Sequence, residues 1–101
     1  MIQVEIKNKK NTINEVIVSG HAGFADAGKD IVCAAVSTLV TTSVNNILAL
    51  DESVEVLQSD ALLTINVKEI TEINQTLLSC MKVMLQDIAI DYPTNLKIKE
   101  D

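Results

Sequence analysis

The sequence predicts an α+β fold, a two-layer sandwich in which two helices pack on one antiparallel or mixed β-sheet. Several short stretches alternate apolar with polar residues, as strands with one buried face do. Two longer stretches carry apolar residues at helical spacing. The 101 residues, 48% of them apolar, suffice for a single domain with one core over residues 1–101. The predicted order is β-β-α-β-β-α-β, and the order of the strands within the sheet does not follow from the sequence.

A β-hairpin is predicted at the N-terminus. Apolar and polar residues alternate from Ile2 to Lys7, which indicates a strand with one buried face. Residues 8–11 form a polar turn, and residues 13–19 form a second strand. The hairpin therefore delivers Gly20 and His21 to the end of a strand, where a loop begins.

The first helix is predicted to begin after Asp30, a good N-cap residue, and to run from Ile31 to about Leu50. One side is polar but carries no charge. A helix without charge is either buried within one monomer or faces a second subunit, and both interpretations stay open. The predicted apolar face comprises Val32, Val36, Leu39, Val40, Val44 and Ile47.

A second hairpin and a last strand are predicted in the C-terminal half. Residues 54–58 and 63–67 alternate on either side of a turn at Ser59-Asp60. The last strand, residues 96–99, follows Tyr92-Pro93, because proline stops the helix before it.

The second helix is predicted over residues 72–90, with Thr71 as its cap. We expect Cys80 to pack in the core beside leucines and methionines, since methionine is a common core filler. Its predicted apolar face comprises Ile73, Leu77, Met81, Met84 or Leu85, and Ile88.

Composition narrows the classes of partner. The net charge is −6, with fourteen acidic residues, eight lysines and no arginine, so we expect no direct nucleic-acid partner, because phosphate backbones attract positive charge. A basic protein or peptide fits this charge better. No continuous apolar run approaches the about 20 residues of a membrane span, and the N-terminus does not resemble a signal peptide. We therefore expect a cytoplasmic protein with two reduced cysteines and no membrane association.

The stretch from Gly20 to Ser37 contains the residues that indicate chemistry. It holds the only histidine, His21, and Cys33, which is the third residue of the predicted helix. The free amides and the dipole of a helix start favour a thiolate, and a histidine base activates a cysteine nucleophile. A negative Asp30 would oppose the thiolate unless it caps the helix or orients His21. The residues alone leave open a loop histidine and an inert thiol.

Two other motifs overlap this loop. Residues 23–30 (GFADAGKD) nearly match the phosphate-binding loop G-x-x-x-x-G-K-[ST], but Asp30 stands where a hydroxyl should bind magnesium. His21, Asp26 and Cys33 could supply three metal ligands, without the paired spacing typical of zinc sites. We consider both alternatives weak and predict no metal and no cofactor.

Gly20-His21-Ala22, followed after the loop by residues 30–37 (DIVCAAVS), resembles the ribosomal-processing cysteine proteases called Prp, over the whole chain. The resemblance implies that Cys33 is the nucleophile and His21 its base. It also implies homodimers that remove a short N-terminal extension from protein twenty-seven of the large ribosomal subunit. The residues with implied supporting or substrate-binding roles are Asp30, Ser37, Gly20, Ala22, Gly23 and Gly28, within or next to a mobile loop over residues 22–29.

The predicted function is therefore a cysteine endopeptidase acting on a ribosomal protein. We expect backbone amides at the helix start to hold the oxyanion. The alternative is a non-catalytic dimeric module that binds a ribosomal protein or an assembly factor, in which Cys33 is only a packed thiol.

Overall fold

The computed structural model describes all 101 residues and has the predicted α+β architecture, with two helices on one five-stranded sheet. The order of elements is β-β-α-β-β-α-β, as expected. The elements are β1 (Ile2–Lys9), β2 (Thr12–Ser19), α1 (Ile31–Leu50), β3 (Val54–Ser59), β4 (Leu62–Val67), α2 (Glu72–Asp91) and β5 (Leu96–Glu100).

The sheet is mixed, with strand order β3-β4-β2-β1-β5. β5 runs parallel to β1, with Leu96 opposite Ile2. The other neighbours are antiparallel, and Ser19 at the end of β2 lies opposite both Gln3 of β1 and Leu62 of β4. The starts of β1, β4 and β5 therefore meet the end of β2 at one end of the sheet, the end from which the loop to α1 departs.

The core lies between one face of the sheet and the two helices. Alternation places every second strand residue against the helices, and α1 contributes five residues of its predicted apolar face, whereas Leu39 is only partly buried. The core residues of α1 are Val32, Val36, Val40, Val44 and Ile47.

The buried face of α2 differs from the prediction. Ile73 and Met84 are exposed, whereas Asn74 is fully buried. Compared with the prediction, α2 is rotated about its axis, and the Asn74 side chain faces inward and donates to the Asp51 carboxylate. Apolar periodicity does not reveal this contact. The prediction that Cys80 packs in the core is also wrong, because the rotation of α2 leaves Cys80 exposed in a groove between the helices. The buried residues are Asn74, Leu78, Met81 and Leu85.

Asp51 links the end of α1 to the start of α2. Its carboxylate accepts hydrogen bonds from the Thr71 hydroxyl, from the Asn74 side-chain amide at 3.0 Å and from the Ser53 N–H at 2.7 Å. The pKa of the Asp51 carboxyl lies below its usual range, mainly because of the hydrogen bond from the Thr71 hydroxyl and next because of that from the Ser53 amide. Thr71 and Asn74 also form a capping box at the start of α2.

The outer side of α1 is exposed and uncharged. Burial of the helix within one monomer, one of the two interpretations of its sequence, is therefore wrong. By length and composition Ile31–Leu50 could also cross a membrane, contrary to the expectation from the sequence, although core helices of soluble proteins pass the same test. Only 28% of its most apolar window is buried, so most of its surface is available to solvent or a partner.

Candidate active site

Gly20 ends β2 in a backbone conformation that favours glycine. Its φ is +88°, a left-handed value that costs other residues energy. A Cβ here would also lie 2.5 Å from the Met1 carbonyl oxygen. The Gly20 N–H donates to the Ala61 carbonyl at 3.0 Å, so the β3–β4 turn holds the chain where His21 leaves the sheet.

Asp30 caps α1 and holds the start of the loop at the same time. One carboxylate oxygen accepts from the Val32 and Cys33 N–H groups at 3.0 and 2.9 Å. The other accepts from the Phe24 and Ala25 N–H groups at 3.0 and 3.4 Å. The hydrogen bond from the Cys33 amide, with those from the other three, holds the pKa of the Asp30 carboxyl below its usual range against the opposing effect of desolvation. The Asp30 carboxylate therefore faces four backbone amides and caps the helix. Capping the helix is one of the two arrangements in which Asp30 does not oppose a charged Cys33 sulfur.

Ala22 brings a donor to the cysteine sulfur. Its N–H lies 3.2 Å from Cys33 Sγ, and its carbonyl accepts from the Asn95 side-chain amide at 3.0 Å. Ala22 itself is buried. This N–H is placed to donate to the sulfur, and a hydrogen bond of this kind is stronger when the acceptor is charged.

His21, Cys33 and Ser37 lie on the walls of the same two cavities. The larger, of about 580 Å³, is bounded by the loop. The smaller, of about 270 Å³, lies between α1 and the β3–β4 hairpin and includes Gln58 and Leu62 in its wall. The thiol therefore borders two adjoining cavities, and together they offer room for side chains of a peptide. The imidazole is exposed, and no hydrogen bond joins it to the thiol.

The structure brings the predicted site residues together. Gly23, Gly28 and Asp30 line the larger cavity, and Gly20 lines the smaller. Ala22 lies beneath them and reaches the site through its backbone.

Sequence reasoning missed residues distant in the chain from the motif. Asn95 and the β3–β4 turn at Ala61 contact the loop only because of the strand order. Tyr92 packs edge-on against Phe24, with ring centroids 5.4 Å apart. Tyr92-Pro93 predicted the end of the helix, but nothing in the sequence indicated what the residues that follow it contact.

The two alternative motifs are not supported. A phosphate-binding loop needs free backbone N–H groups, but those of Phe24 and Ala25 are bound to Asp30. The structure has no group of three or more histidine, cysteine or acidic side chains placed to hold a metal ion. His21, Asp26 and Cys33 do not form such a group.

A larger groove of about 840 Å³ runs between α1 and α2. Its walls include Cys80 and Met84 but neither His21 nor Cys33. Size does not make this groove the site of chemistry, because its walls hold no histidine that could act as a base for Cys80.

Several known proteins are similar to this chain over nearly its whole length. The family model described as "Cysteine protease Prp" matches residues 1–97. The ribosomal processing cysteine protease Prp of Staphylococcus aureus (strain Mu50) is 33% identical over 103 residues, covering 97% of each chain. The structure of the essential S. aureus protease with a covalently linked product peptide has a TM-score of 0.95 at 31% identity, and that with a substrate peptide has 0.85 at 30%; both match over all of each chain.

The match thus covers nearly the whole chain in sequence and all of it in fold, including the loop and helix that carry His21 and Cys33. The chain belongs to the Prp family of ribosomal-processing cysteine proteases.

Proposed function

We propose that this chain is an endopeptidase in which Cys33 is the nucleophile and His21 is the base. Its proposed substrate is protein twenty-seven of the large ribosomal subunit, from which it removes a short N-terminal extension during ribosome assembly. The observation that carries the proposal is the meeting of His21 and Cys33 on two shared cavities, with the Ala22 N–H directed at the sulfur.

The proposed reaction has two steps. His21 takes the thiol proton, and the sulfur attacks the scissile carbonyl carbon; the C–N bond then breaks as His21 protonates the leaving amine. A water molecule, deprotonated by His21, hydrolyses the thioester, which releases the extension as a carboxylic acid and restores the thiol. The exposed imidazole borders the same cavities as the sulfur, and catalytic hydrogen bonds are often long before substrate binds.

The amides at the start of α1, which the sequence predicts to hold the oxyanion, are occupied by other acceptors. The Val32 and Cys33 N–H groups donate to the Asp30 carboxylate, and the Ala34 N–H donates to the Asp30 carbonyl. The Ala22 N–H is the backbone donor in contact with the sulfur. In this proposal it stabilises negative charge on the sulfur.

Asp30 and Ser37 have supporting roles in this proposal. Asp30 fixes the helix start and the loop through four amides. Ser37 stands one helical turn beyond Cys33 on the wall of both cavities. Gly23 and Gly28, with φ values of +66° and +85°, let the loop turn around the substrate.

We further propose that the protein is a cytoplasmic homodimer without a direct nucleic-acid partner. The exposed side of α1 carries no charge, and the adjoining groove against α2 is mainly apolar. A second copy supplies a matching uncharged surface. In sedimentation velocity, we expect a species of two 11.0 kDa chains. Thr42→Lys in the groove should yield monomers, while Gln3→Lys on the sheet should not; a wild-type monomer at all concentrations would contradict the dimer.

The cleavage test measures the intact mass of the extended ribosomal protein after incubation with the enzyme. Wild type and Cys80→Ala should give one truncation product. Cys33→Ala should give none, and His21→Ala should be slower by at least about 100-fold, the usual contribution of a general base. Cleavage by Cys33→Ala would contradict the mechanism. No cleavage of a substrate that another family member cuts would favour the binding module.

A further inference from the structure

Asn95 lies in the turn between α2 and β5 and is held on its backbone. Its N–H donates to the Tyr92 carbonyl at 3.0 Å, and its carbonyl accepts from the Ile2 N–H at 2.9 Å. The parallel pairing of β5 with β1 places it at the end of the sheet where β2 releases the loop. The side chain is therefore carried by a fixed backbone.

The side chain of Asn95 reaches 73 residues back along the chain. Its Nδ2 donates to the Ala22 carbonyl at 3.0 Å. The Ala22 N–H in turn contacts Cys33 Sγ at 3.2 Å. Ala22 is thus held at both ends, by the sulfur on one side and by Asn95 on the other.

His21 is flanked by two anchored residues. Before it, the Gly20 N–H is bound to the Ala61 carbonyl; after it, the Ala22 carbonyl is bound to Asn95. The backbone that presents the imidazole is therefore fixed on both sides, even though the imidazole itself is exposed.

We propose that Asn95 is a positioning residue of this protease, which directs the Ala22 N–H at the Cys33 sulfur and orients the backbone that carries His21. The proposal rests on the proposed function, because it assigns Asn95 an effect on the reacting thiol. An amide suits this place, since its NH₂ group donates to a carbonyl without adding charge beside a thiolate. Aspartate would set a carboxylate against the Ala22 carbonyl and lose the donor.

The test replaces the donor and follows the thiol. Asn95→Leu keeps the approximate side-chain volume, and Asn95→Ala removes it; both remove the hydrogen bond. We expect alkylation of Cys33 by iodoacetamide at pH 7 to slow by about tenfold, within the contribution of one hydrogen bond to a charged atom. The midpoint of the rate against pH should move upward. A purely structural role would not move this midpoint in a folded protein.

Peptide cleavage supplies the second readout. We expect kcat to fall by about 10- to 100-fold with little change in KM, because misplacement of reacting groups affects the chemical step. Thr94→Ala is the matched control: it removes a hydroxyl that donates to Asn95 Oδ1 in the same turn but leaves the Nδ2 donor in place. It should retain the wild-type midpoint and kcat.

Folding is checked by circular dichroism before either readout. If both apolar variants unfold, Asn95→Gln, which keeps the amide but displaces it by one methylene, should still lower kcat and raise the midpoint. A folded Asn95 variant with wild-type midpoint and kcat would overturn the proposal. If the wild type cuts no peptide, the proposed function fails, and the alkylation profiles alone still decide whether Asn95 acts on the thiol.

Discussion

Cys33 and Cys80 illustrate how surroundings assign roles to identical side chains. Both are free thiols, and Cys80 is the more exposed. Cys33 has a backbone donor on its sulfur and shares two cavities with the only histidine. Cys80 lies in the groove between the helices, where no histidine is present. Exposure alone would favour Cys80, whereas the proposed nucleophile is Cys33, because nucleophilic reactivity depends on what stabilises the thiolate.

Gly20 provides a prediction at the residue scale. Gly20→Ala should destabilise the fold by at least about 2 kcal/mol, since left-handed backbone strain costs about 1–2 kcal/mol and the added Cβ would clash with Met1. The melting temperature should fall by roughly 8 °C or more for a domain of this size. Gly23→Ala is the control, because its φ is also positive but nothing lies within 4 Å of the added Cβ. Equal losses in the two variants would contradict the role of the Met1 contact.

At the scale of elements, two aspartates at the ends of α1 connect it to the rest of the chain. Asp30 joins the start of α1 to the loop, and Asp51 joins the end of α1 to the start of α2. Asp30 accepts hydrogen bonds from the Val32 and Cys33 N–H groups, which the start of a helix leaves unpaired. Asp51 instead accepts from the side chains of Thr71 and Asn74 at the start of α2. The loop that shapes the larger cavity is therefore fixed to the same helix that carries Cys33.

The Asp51 network predicts a pH dependence of stability. Its pKa is lowered in the folded protein, so its contribution is present above the unfolded pKa of about 4 and is lost as pH falls through the folded value. Asp51→Asn should lower the melting temperature at pH 7, and the difference from wild type should shrink on acidification below about pH 4. Thermal denaturation from pH 2 to 7 measures this difference.

Glu52→Gln, which changes the exposed neighbouring residue, serves as the control and should follow the wild-type curve. A difference between wild type and Asp51→Asn that stays constant across this range would contradict a contribution from the charged carboxylate.

At the scale of the whole molecule, the mixed sheet assembles the site. The parallel β1–β5 pair brings Asn95 to Ala22, and the β2–β4 pair brings Ala61 to Gly20. Residues from two distant parts of the chain thus hold the two neighbours of His21. The chain order alone does not specify this convergence.

The sequence predicts the local features of this protein but not the contacts between residues far apart in the chain. Alternation and helical spacing predicted the elements, and the Asp30 cap predicted the place of Cys33, because these are local properties. The rotation of α2 depends on Asn74 meeting Asp51, and the role of Asn95 depends on strand order. Both are contacts between residues far apart in sequence, which periodicity cannot reveal. For the same reason, Cys80 was wrongly expected in the core.

The most direct test of the account is the mass of the enzyme itself during turnover. The extended ribosomal protein is mixed with excess wild-type protein, quenched in acid within the first turnover, and analysed by intact mass and peptide mapping. We predict a transient adduct equal in mass to the released extension less one water, bound as a thioester at Cys33. An adduct at Cys80, or cleavage that proceeds with no adduct at any time, would contradict Cys33 as the nucleophile.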